Sequence, residues 1–238
     1  MEFYRISNVM FTIKQIQKLF QLEMYTTSFW DHIILGVALV LWCVVHSAMI
    51  SMSAITLGHK ILGRYFNFYR LIYNTTSVLT LLPILVLMFS ISSIPIFDWT
   101  GFSRLLQAAL LFGGLFFLVA GAQNYDGLQF IGLRQIFSRK HQKGLTESGG
   151  LHTNGILRVT RHPWYLAGLF VLWGRDLNSV SVLVNIIFSV YLVIGAMLEE
   201  KKLVYEFGQK YVDYQSRVSM LFPCKWIKSK LLYLKNST

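Results

Sequence analysis

Long apolar stretches alternate with shorter polar stretches along the chain. A transmembrane helix needs about 20 mostly apolar residues. The pattern predicts such helices at 33–52, 71–94, 105–122 and 177–198. Hydrophobic residues make up 54% of the 238 residues and charged residues only 14%, whereas soluble domains have about 25% charged residues. The sequence therefore predicts an all-α integral membrane protein.

A fifth apolar run, 164–174, is shorter than the others. At about 1.5 Å per residue it reaches roughly 16 Å, or half a bilayer. It crosses only if the helix begins further back, near Pro163, or enters the bilayer at an angle. Residues 175–179 are typical of a tight turn. We therefore predict a C-terminal helical hairpin over 163–198 and about five transmembrane helices.

Lysine and arginine residues are unevenly distributed between the polar connections. The connection 53–70 has three basic and no acidic residues, 123–163 has six and two, and the tail from 199 has eight and four. The connections 95–104 and 175–179 have one basic residue each. Because basic connections stay in the cytoplasm, five spans predict an amino terminus outside and a carboxyl terminus in the cytoplasm.

The net charge of +11 indicates that the protein contacts an anionic partner. Basic residues fall between apolar stretches, which favours anionic lipid headgroups and argues against nucleic acid. Residues 1–32 lack the apolar region of a cleavable signal peptide. Their spaced apolar residues are as typical of an interfacial helix as of a disordered leader. We divide the chain into this N-terminal segment (1–32), three transmembrane helices (33–122), and a loop, hairpin and basic tail (123–238).

The sequence has no pattern of a metal site or of a soluble nucleotide-binding fold. Cys43 and Cys224 are far apart, and we expect two unpaired thiols and no bound metal. No Gly-x-Gly-x-x-Gly follows a strand, and no segment is long and polar enough for a Rossmann sheet.

A polar connection at 134–163 is long for a segment without a function. It ends in Arg161-His162-Pro163-Trp164-Tyr165. Pro163 suits the first turn of a helix, which places His162 at the N-cap. Arg161, His162 and the N–H groups of the helix start suit the carboxylate end of an amino-acid-like ligand. The same residue types are common interfacial anchors, and this motif alone leaves both interpretations open.

Two adjacent carboxylates, Glu199 and Glu200, are predicted to end the returning helix of the hairpin. Negative charges at a helix C-terminus oppose the helix dipole, so they need solvent and the neighbouring lysines or a cationic ligand. The hairpin brings Glu199 level with His162. A cationic end and an anionic end at one depth predict a site for a zwitterion.

Several motif elements follow one another at fixed spacing over about 142–223. They are His162-Pro163-x-Tyr165-x-x-Gly168, about thirty apolar residues, Glu199-Glu200, Phe207-Gly208-x-x-Tyr211-x-x-Tyr214 and Pro223. This pattern resembles the isoprenylcysteine carboxyl methyltransferase and phospholipid methyltransferase superfamily. The resemblance implies a membrane methyltransferase with a pocket for S-adenosyl-L-methionine in its cytoplasmic half.

The resemblance also implies which residues hold this cofactor. With the residues of the His-Pro motif, the candidate cofactor site comprises Gln142, Gly149, Gly150, Leu151, His152, Leu157, Arg161, His162, Pro163, Tyr165, Glu199 and Glu200. Of these, His162, Tyr165 and Glu199 match the strongest cofactor positions. One position departs from the carboxyl methyltransferases. Gly195 stands where they carry an acceptor-binding arginine, which argues against a prenylcysteine acceptor.

The first half of the chain resembles a narrower branch. Trp42-x-x-x-His46-Ser47, Tyr69-Arg70-x-x-Tyr73-Asn74 and the segment 126–134 are similar to methanethiol S-methyltransferases and a denitrification-associated membrane protein group. His46 lies inside an apolar helix, where ionisable residues are functional candidates. We expect His46, Arg70 and Asn74 to be catalytic, by orienting the acceptor and deprotonating a thiol. A helix–helix hydrogen bond for His46 and snorkelling of Arg70 are equally consistent.

We therefore expect methyl transfer to a small or membrane-soluble acceptor, preferably a thiol, which reacts as the thiolate. Two alternatives remain open. One is methylation of a prenylcysteine carboxylate or a phospholipid amine, and the other is a non-catalytic assembly or transport protein with the same fold.

Overall fold

The computed structural model describes residues 29–123, 131–133, 136 and 150–236. Its helices are α1 (Phe29–Met49), α2 (Met52–Leu62), α3 (Tyr69–Ser90), α4 (Ser103–Ala122), α5 (Pro163–Trp173), α6 (Ser179–Phe207), α7 (Gln209–Arg217) and α8 (Cys224–Asn236). Within these residues, two 3₁₀-helices (Gly63–Phe68 and Gly155–Arg158) and two strands, β1 (Pro95–Phe97) and β2 (Leu177–Asn178), connect the helices.

In the described part of the chain, four helical stretches are long and apolar enough to cross a membrane, and α5 is a shorter apolar helix. This confirms the prediction of an all-α membrane protein. The number of five spans and the division into three segments stay predictions. The predicted interfacial segment 1–32 lies almost entirely outside the described residues.

The connection predicted at 53–70 is helical, so its prediction as a loop was wrong. Ser51 caps α2 by accepting a hydrogen bond from the N–H of Ala54 at 3.2 Å. Together α2, the first 3₁₀-helix and α3 form a 39-residue stretch, Met52–Ser90, that is long and apolar enough to cross a membrane. Hydropathy missed α2 because His59 and Lys60 interrupt its apolar run. Lysine is nevertheless a good helix former.

The connections 95–104 and 175–179 meet at one end of the molecule. β1 and β2 pair in antiparallel orientation. The N–H of Trp99 donates to Oδ1 of Asp176 at 3.0 Å. These contacts bring the end of α3 and the starts of α4 and α6 together.

Helix α1 begins at this same end. Nε2 of His32 lies 2.9 Å from Oγ of Ser179, and the N–H of Ser179 donates to the carbonyl of Ile94 at 3.0 Å. The starts of α1 and α6 therefore lie beside the end of α3.

Helices α4 and α5 pack closely because glycines of α4 face the backbone and bulky side chains of α5. A Cβ atom at Gly114 would lie 3.3 Å from the carbonyl oxygen of Ala167. A Cβ atom at Gly121 would lie 2.5 Å from the indole of Trp164, whose Nε1 donates to the carbonyl of Leu118 at 3.1 Å. This packing fixes the start of α5 beside α4.

Helices α5 and α6 run antiparallel. Nε1 of Trp173, at the end of α5, donates to Oγ of Ser189 at 2.9 Å. Asn178 and Ser181 form a capping box at the start of α6. Helix α6 continues to Phe207 and ends at Gly208, whose φ is +58°. The prediction that Glu199-Glu200 end the returning helix was therefore wrong, since both lie within α6.

Candidate active site

The candidate site begins where α5 begins. His162 is the N-cap of α5 and Pro163 its first residue, as predicted. The chain just before α5 is held by the tail that follows α6 (residues 208–236). The N–H groups of Arg161 and His162 donate to the carbonyls of Ser219 (3.0 Å) and Met220 (3.1 Å).

A buried ion pair fastens α6 to the tail. Nε of Arg161 donates to Oε1 of Glu200 at 2.5 Å, and Nη1 donates to the carbonyls of Gln215 and Val218. The side chain of Gln215 donates to Oε2 of Glu200 at 3.0 Å. The Arg161 and Glu200 side chains are 7% and 11% exposed. A buried carboxylate is costly unless it is paired, so this network gives Glu200 a structural role.

Glu199 points to a different set of residues. The hydroxyl of Tyr165 donates to Oε2 of Glu199 at 2.8 Å, and Nδ1 of His162 lies 3.7 Å from the same oxygen. His162 is 3% exposed, whereas the side chain of Glu199 is 28% exposed. Among the described residues, Oε1 of Glu199 accepts no hydrogen bond. A carboxylate oxygen at the edge of a buried cluster is therefore open to a ligand.

His162 contacts both glutamates, since its Nε2 lies 3.2 Å from Oε1 of Glu200. The structure thus brings together Arg161, His162, Tyr165, Glu199 and Glu200. Their assignment to cofactor binding stays a prediction.

Two glycines near this cluster admit neighbouring side chains. A Cβ atom at Gly195 would lie 3.3 Å from Cε1 of Tyr165, and one at Gly168 would lie 3.2 Å from Cδ1 of Leu192. Gly195 therefore leaves room for the Tyr165 ring. Gly168 lets the neighbouring helix α6 approach.

Only some of the candidate residues in the loop before α5 lie in the described part of the structure. Gln142 and Gly149 lie outside the described residues. Gly150, Leu151 and His152 are described, and Leu151 packs against the buried aromatic residues of α7. Leu157 is buried in a core cluster with residues of α4 and α5.

The aromatic residues of α7 pack the tail onto the site. Tyr211 and Tyr214 are buried together with Val218, and the hydroxyl of Tyr214 donates to the carbonyl of Leu157 at 2.5 Å. Burial, together with the Glu200 carboxylate, raises the pKa of Tyr211. This keeps its phenol neutral beside the ion pair.

Sequence reasoning missed Gln215 and the carbonyls of Ser219 and Met220. Gln215 lies in a polar stretch of α7, four residues after the buried Tyr211. Nothing in the sequence around it indicates a functional role. Backbone acceptors are independent of side-chain identity, so only the fold could have indicated them.

A second polar cluster surrounds His46, between α1 and α3. Nδ1 of His46 lies 2.9 Å from Oγ of Ser77, and the hydroxyl of Tyr73 lies 2.5 Å from Nε2. The Trp42 ring stacks on the imidazole, with ring centroids 4.8 Å apart. The sequence predicted a role for His46 and included Tyr73 in a motif without assigning it one. It gave no indication of Ser77, which is an ordinary residue type in a transmembrane helix.

Helix α6 completes this cluster with Tyr191. Its ring centroid lies 6.2 Å from that of His46, and its hydroxyl accepts a hydrogen bond from Ser47 at 3.4 Å. His46, Tyr73 and Tyr191 are all partly exposed.

Arg70 and Asn74 lie one turn apart on α3, as predicted. The amide of Asn74 donates to the carbonyl of Ile131 at 2.8 Å. Gly132 has a φ of +99°, and a Cβ atom there would lie 2.9 Å from the backbone nitrogen of Leu71. Asn74 and Gly132 therefore dock residues 131–132 onto the start of α3.

The two clusters share one face of α6. Tyr191, Gly195 and Glu199 follow at intervals of four residues, which places them on the same side of a helix. Eight residues correspond to about 12 Å along the axis. The side chain of Tyr165 contacts this face at both Gly195 and Glu199.

Comparison with known proteins gives relatives of one kind, although no family model and no solved structure matches the sequence. A methanethiol S-methyltransferase of Pseudomonas deceptionensis is 41% identical over 76 residues, which cover 32% of this chain and 29% of that protein. Methanethiol S-methyltransferase 2 of Bradyrhizobium diazoefficiens is 28% identical over 131 residues, covering 54% and 50%. A methanethiol S-methyltransferase of Mycobacterium tuberculosis is 30% identical over 96 residues, which cover 40% of this chain and 39% of that protein.

The matched parts thus span 29% to 50% of the length of these relatives. The resemblance predicted from the motifs is confirmed: over part of its length, this chain is similar to the methanethiol S-methyltransferases.

Proposed function

We propose that this chain is an S-adenosylmethionine-dependent membrane methyltransferase that acts on a small or membrane-soluble thiol. The observation that carries the proposal is the convergence of His162, Tyr165 and Glu199 at the start of α5. The printed names of the relatives, methanethiol S-methyltransferases, support the thiol acceptor.

The residues present fit S-adenosylmethionine. Oε1 of Glu199 is open at the edge of the cluster and suits a donor such as an ammonium group or a ribose hydroxyl. Tyr165 and His162 hold the other side of this carboxylate in place. When bound, the cofactor supplies a methyl group activated by its sulfonium. The protein binds and orients it and excludes water.

We assign different roles to the two glutamates. Glu199 binds the cofactor, while Glu200 and Arg161 hold α6, the start of α5 and the tail in one arrangement. Pro163 and Leu157 fix the backbone around the pocket. Gly150, Leu151 and His152, with Gln142 and Gly149 of the preceding loop, complete it in this proposal.

The acceptor enters beside the His46 cluster. The shared face of α6 leads from Tyr191 past Gly195 to Glu199, so an acceptor within the membrane reaches the cofactor along it. No arginine stands on this face at Gly195, which suits an acceptor without a carboxylate. In this proposal Arg70 orients the acceptor, and Asn74 keeps residues 131–132 docked beside it.

The proposed arrangement has five spans, with α5 and α6 forming the C-terminal hairpin and the cofactor pocket in the cytoplasmic half. Two observations support it. The sparsely charged connections 95–104 and 175–179 bond to each other at one end. The described basic residues before α3 (Lys60, Arg64), before α5 (Arg158, Arg161) and near the end of α6 (Lys201, Lys202) lie at the opposite ends of these helices. Anionic lipid headgroups are the expected partners there.

Calorimetry with the purified chain in detergent tests cofactor binding. We expect Glu199→Gln and His162→Ala to weaken S-adenosylmethionine binding at least about 10-fold, since hydrogen bonds to charged groups contribute about 1.5–3 kcal/mol. Glu206→Gln is the matched control, because Glu206 is an exposed glutamate of the same helix. Unchanged affinity in both site variants would contradict the proposed pocket.

A transfer assay tests the acceptor. The labelled cofactor is offered with methanethiol, phosphatidylethanolamine or a prenylcysteine, and we expect a methylated product from the thiol alone. Methylation of the lipid amine or the prenylcysteine carboxylate would support the first alternative. Absence of cofactor binding would instead support a non-catalytic assembly or transport protein.

A further inference from the structure

The hydrogen bonds around His46 determine which of its nitrogens carries the proton. Oγ of Ser77 lies 2.8 Å from the carbonyl of Tyr73 and donates its only proton to it. The same oxygen lies 2.9 Å from Nδ1 of His46. With its proton already used, the serine oxygen can only accept from that nitrogen. Nδ1 of a neutral His46 is therefore protonated.

Nε2 of His46 is then the acceptor nitrogen. The hydroxyl of Tyr73 lies 2.5 Å from Nε2 and 3.2 Å from Nδ1. Since Nδ1 is engaged with Ser77, the phenol donates to Nε2. Both nitrogens of His46 are thus occupied, and an acceptor cannot give a proton directly to the imidazole without displacing one of these partners.

The imidazole is also held in orientation. The Trp42 ring stacks on it, and Nε1 of Trp42 donates to the carbonyl of Ser77 at 3.2 Å. Such a fixed donor and acceptor pair suits proton transfer, because little reorganisation is needed.

The titratable groups around the pair come from three helices. Cys43 lies on α1, Tyr69 and Arg70 on α3 about one turn before Tyr73, and Tyr191 on α6. Arg70 is the only cation among them in the described residues. A cation close to Tyr73 stabilises a developing negative charge on the phenol oxygen.

We propose that Tyr73 is a catalytic residue that receives the proton of the acceptor thiol, with His46 behind it as a positioning residue and final proton acceptor. This inference rests on the proposed thiol methylation. The S–H bond breaks and its electron pair stays on sulfur, while its proton passes to the Tyr73 oxygen. The phenol proton passes to Nε2 of His46, and the imidazolium keeps its Nδ1–H bond to Ser77. The thiolate is the competent nucleophile.

Two thiols of different acidity test this relay. An alkanethiol is mainly protonated at neutral pH and needs the relay, whereas a nitro-substituted benzenethiol is already ionised. We expect Tyr73→Phe to lower kcat with methanethiol by about 100-fold or more, the range of general acid–base catalysis, and to retain the rate with the benzenethiol. His46→Gln should show the same selective loss. Tyr205→Phe, at an exposed tyrosine on α6, is the matched control.

Two readouts do not depend on turnover. Calorimetry should give the same S-adenosylmethionine affinity for Tyr73→Phe and the unmodified protein. Nitrogen NMR of labelled histidine, assigned by the loss of one signal pair in His46→Gln, should show a protonated Nδ1 and an acceptor Nε2. Tyr73→Phe should then shift Nε2 and leave Nδ1 protonated.

Several results would overturn the inference. Equal loss with both thiols would indicate a structural role for Tyr73, and full activity with methanethiol would exclude the relay. A protonated Nε2 would also exclude it, independently of catalysis. If the unmodified protein methylates neither thiol but shows the expected NMR signals, the proposed function fails while the hydrogen-bond arrangement stands.

Discussion

At the scale of single residues, Glu199 and Glu200 divide two tasks between adjacent positions. Successive side chains of a helix point about 100° apart. Glu200 therefore reaches Arg161 and Gln215, while Glu199 faces Tyr165 and keeps one oxygen open. The Glu-Glu motif thus consists of a candidate cofactor-binding residue, Glu199, followed by a buried ion-pair partner, Glu200.

Removal of Arg161 should destabilise the fold. Arg161→Ala leaves the buried Glu200 carboxylate without its cation, and we expect a loss of about 3–5 kcal/mol in the free energy of unfolding. Denaturant unfolding in detergent measures it. Arg158→Ala, at an exposed arginine of the same segment, should change stability by less than about 0.5 kcal/mol. Similar effects of the two substitutions would contradict the structural role of Arg161.

The approach of His162 to Glu199 was predictable, because a hairpin of known length fixes which residues share a level. The hydrogen bonds of His46 were not. An intramembrane histidine indicates a functional candidate, but Ser77 and Tyr73 become its partners only through the rotation of α3 against α1. Rotation depends on packing details that a hydropathy pattern does not contain.

At the scale of elements, the glycines of α4 determine how closely α5 approaches. Small residues at helix contacts allow close packing in membranes. Trp164 follows Pro163 directly. The packing of its indole against Gly121 therefore also fixes the start of α5 and the orientation of His162.

Gly121→Ala should therefore destabilise the α4–α5 contact. The added Cβ atom would meet the Trp164 indole at 2.5 Å, and overpacking of this kind costs about 1–3 kcal/mol. Thermal unfolding in detergent measures the effect. Gly36→Ala is the control, since a Cβ atom there has its nearest neighbour at 3.8 Å and should be tolerated. Equal melting temperatures for the two variants would show that Trp164 moves aside easily.

Element boundaries were the least predictable part of the fold. Hydropathy located four of the apolar helices, but it ended one at 198 and replaced α2 by a loop. After 198 charged residues begin while the backbone continues its helical hydrogen bonds to Phe207. At α2 a new helix starts after the Ser51 cap and continues through Lys60. Glutamate and lysine favour helix as strongly as many apolar residues do, so a change in polarity does not mark a helix end.

At the scale of the whole molecule, the two cysteines provide a test of orientation. Cys224 is exposed at the start of α8, whereas Cys43 is buried in α1. Because the basic tail is predicted to be cytoplasmic, a membrane-impermeant maleimide should label Cys224 in inverted vesicles and leave it unlabelled in intact cells. Cys224→Ala should abolish the labelling, and Cys43→Ala should leave it unchanged. Labelling from outside the cell would reverse the predicted topology.

The pairing of the His162 segment with Ser219 and Met220 has a consequence for synthesis in the cell. The amino-terminal helices can enter the bilayer as they are made. Arg161 and His162, however, find their carbonyl partners only after residues 215–220 have been added. A nascent or prematurely terminated chain therefore holds the helices without a finished pocket. Such a chain would be inserted in the membrane but inactive. Catalytic activity would therefore appear only once translation is complete.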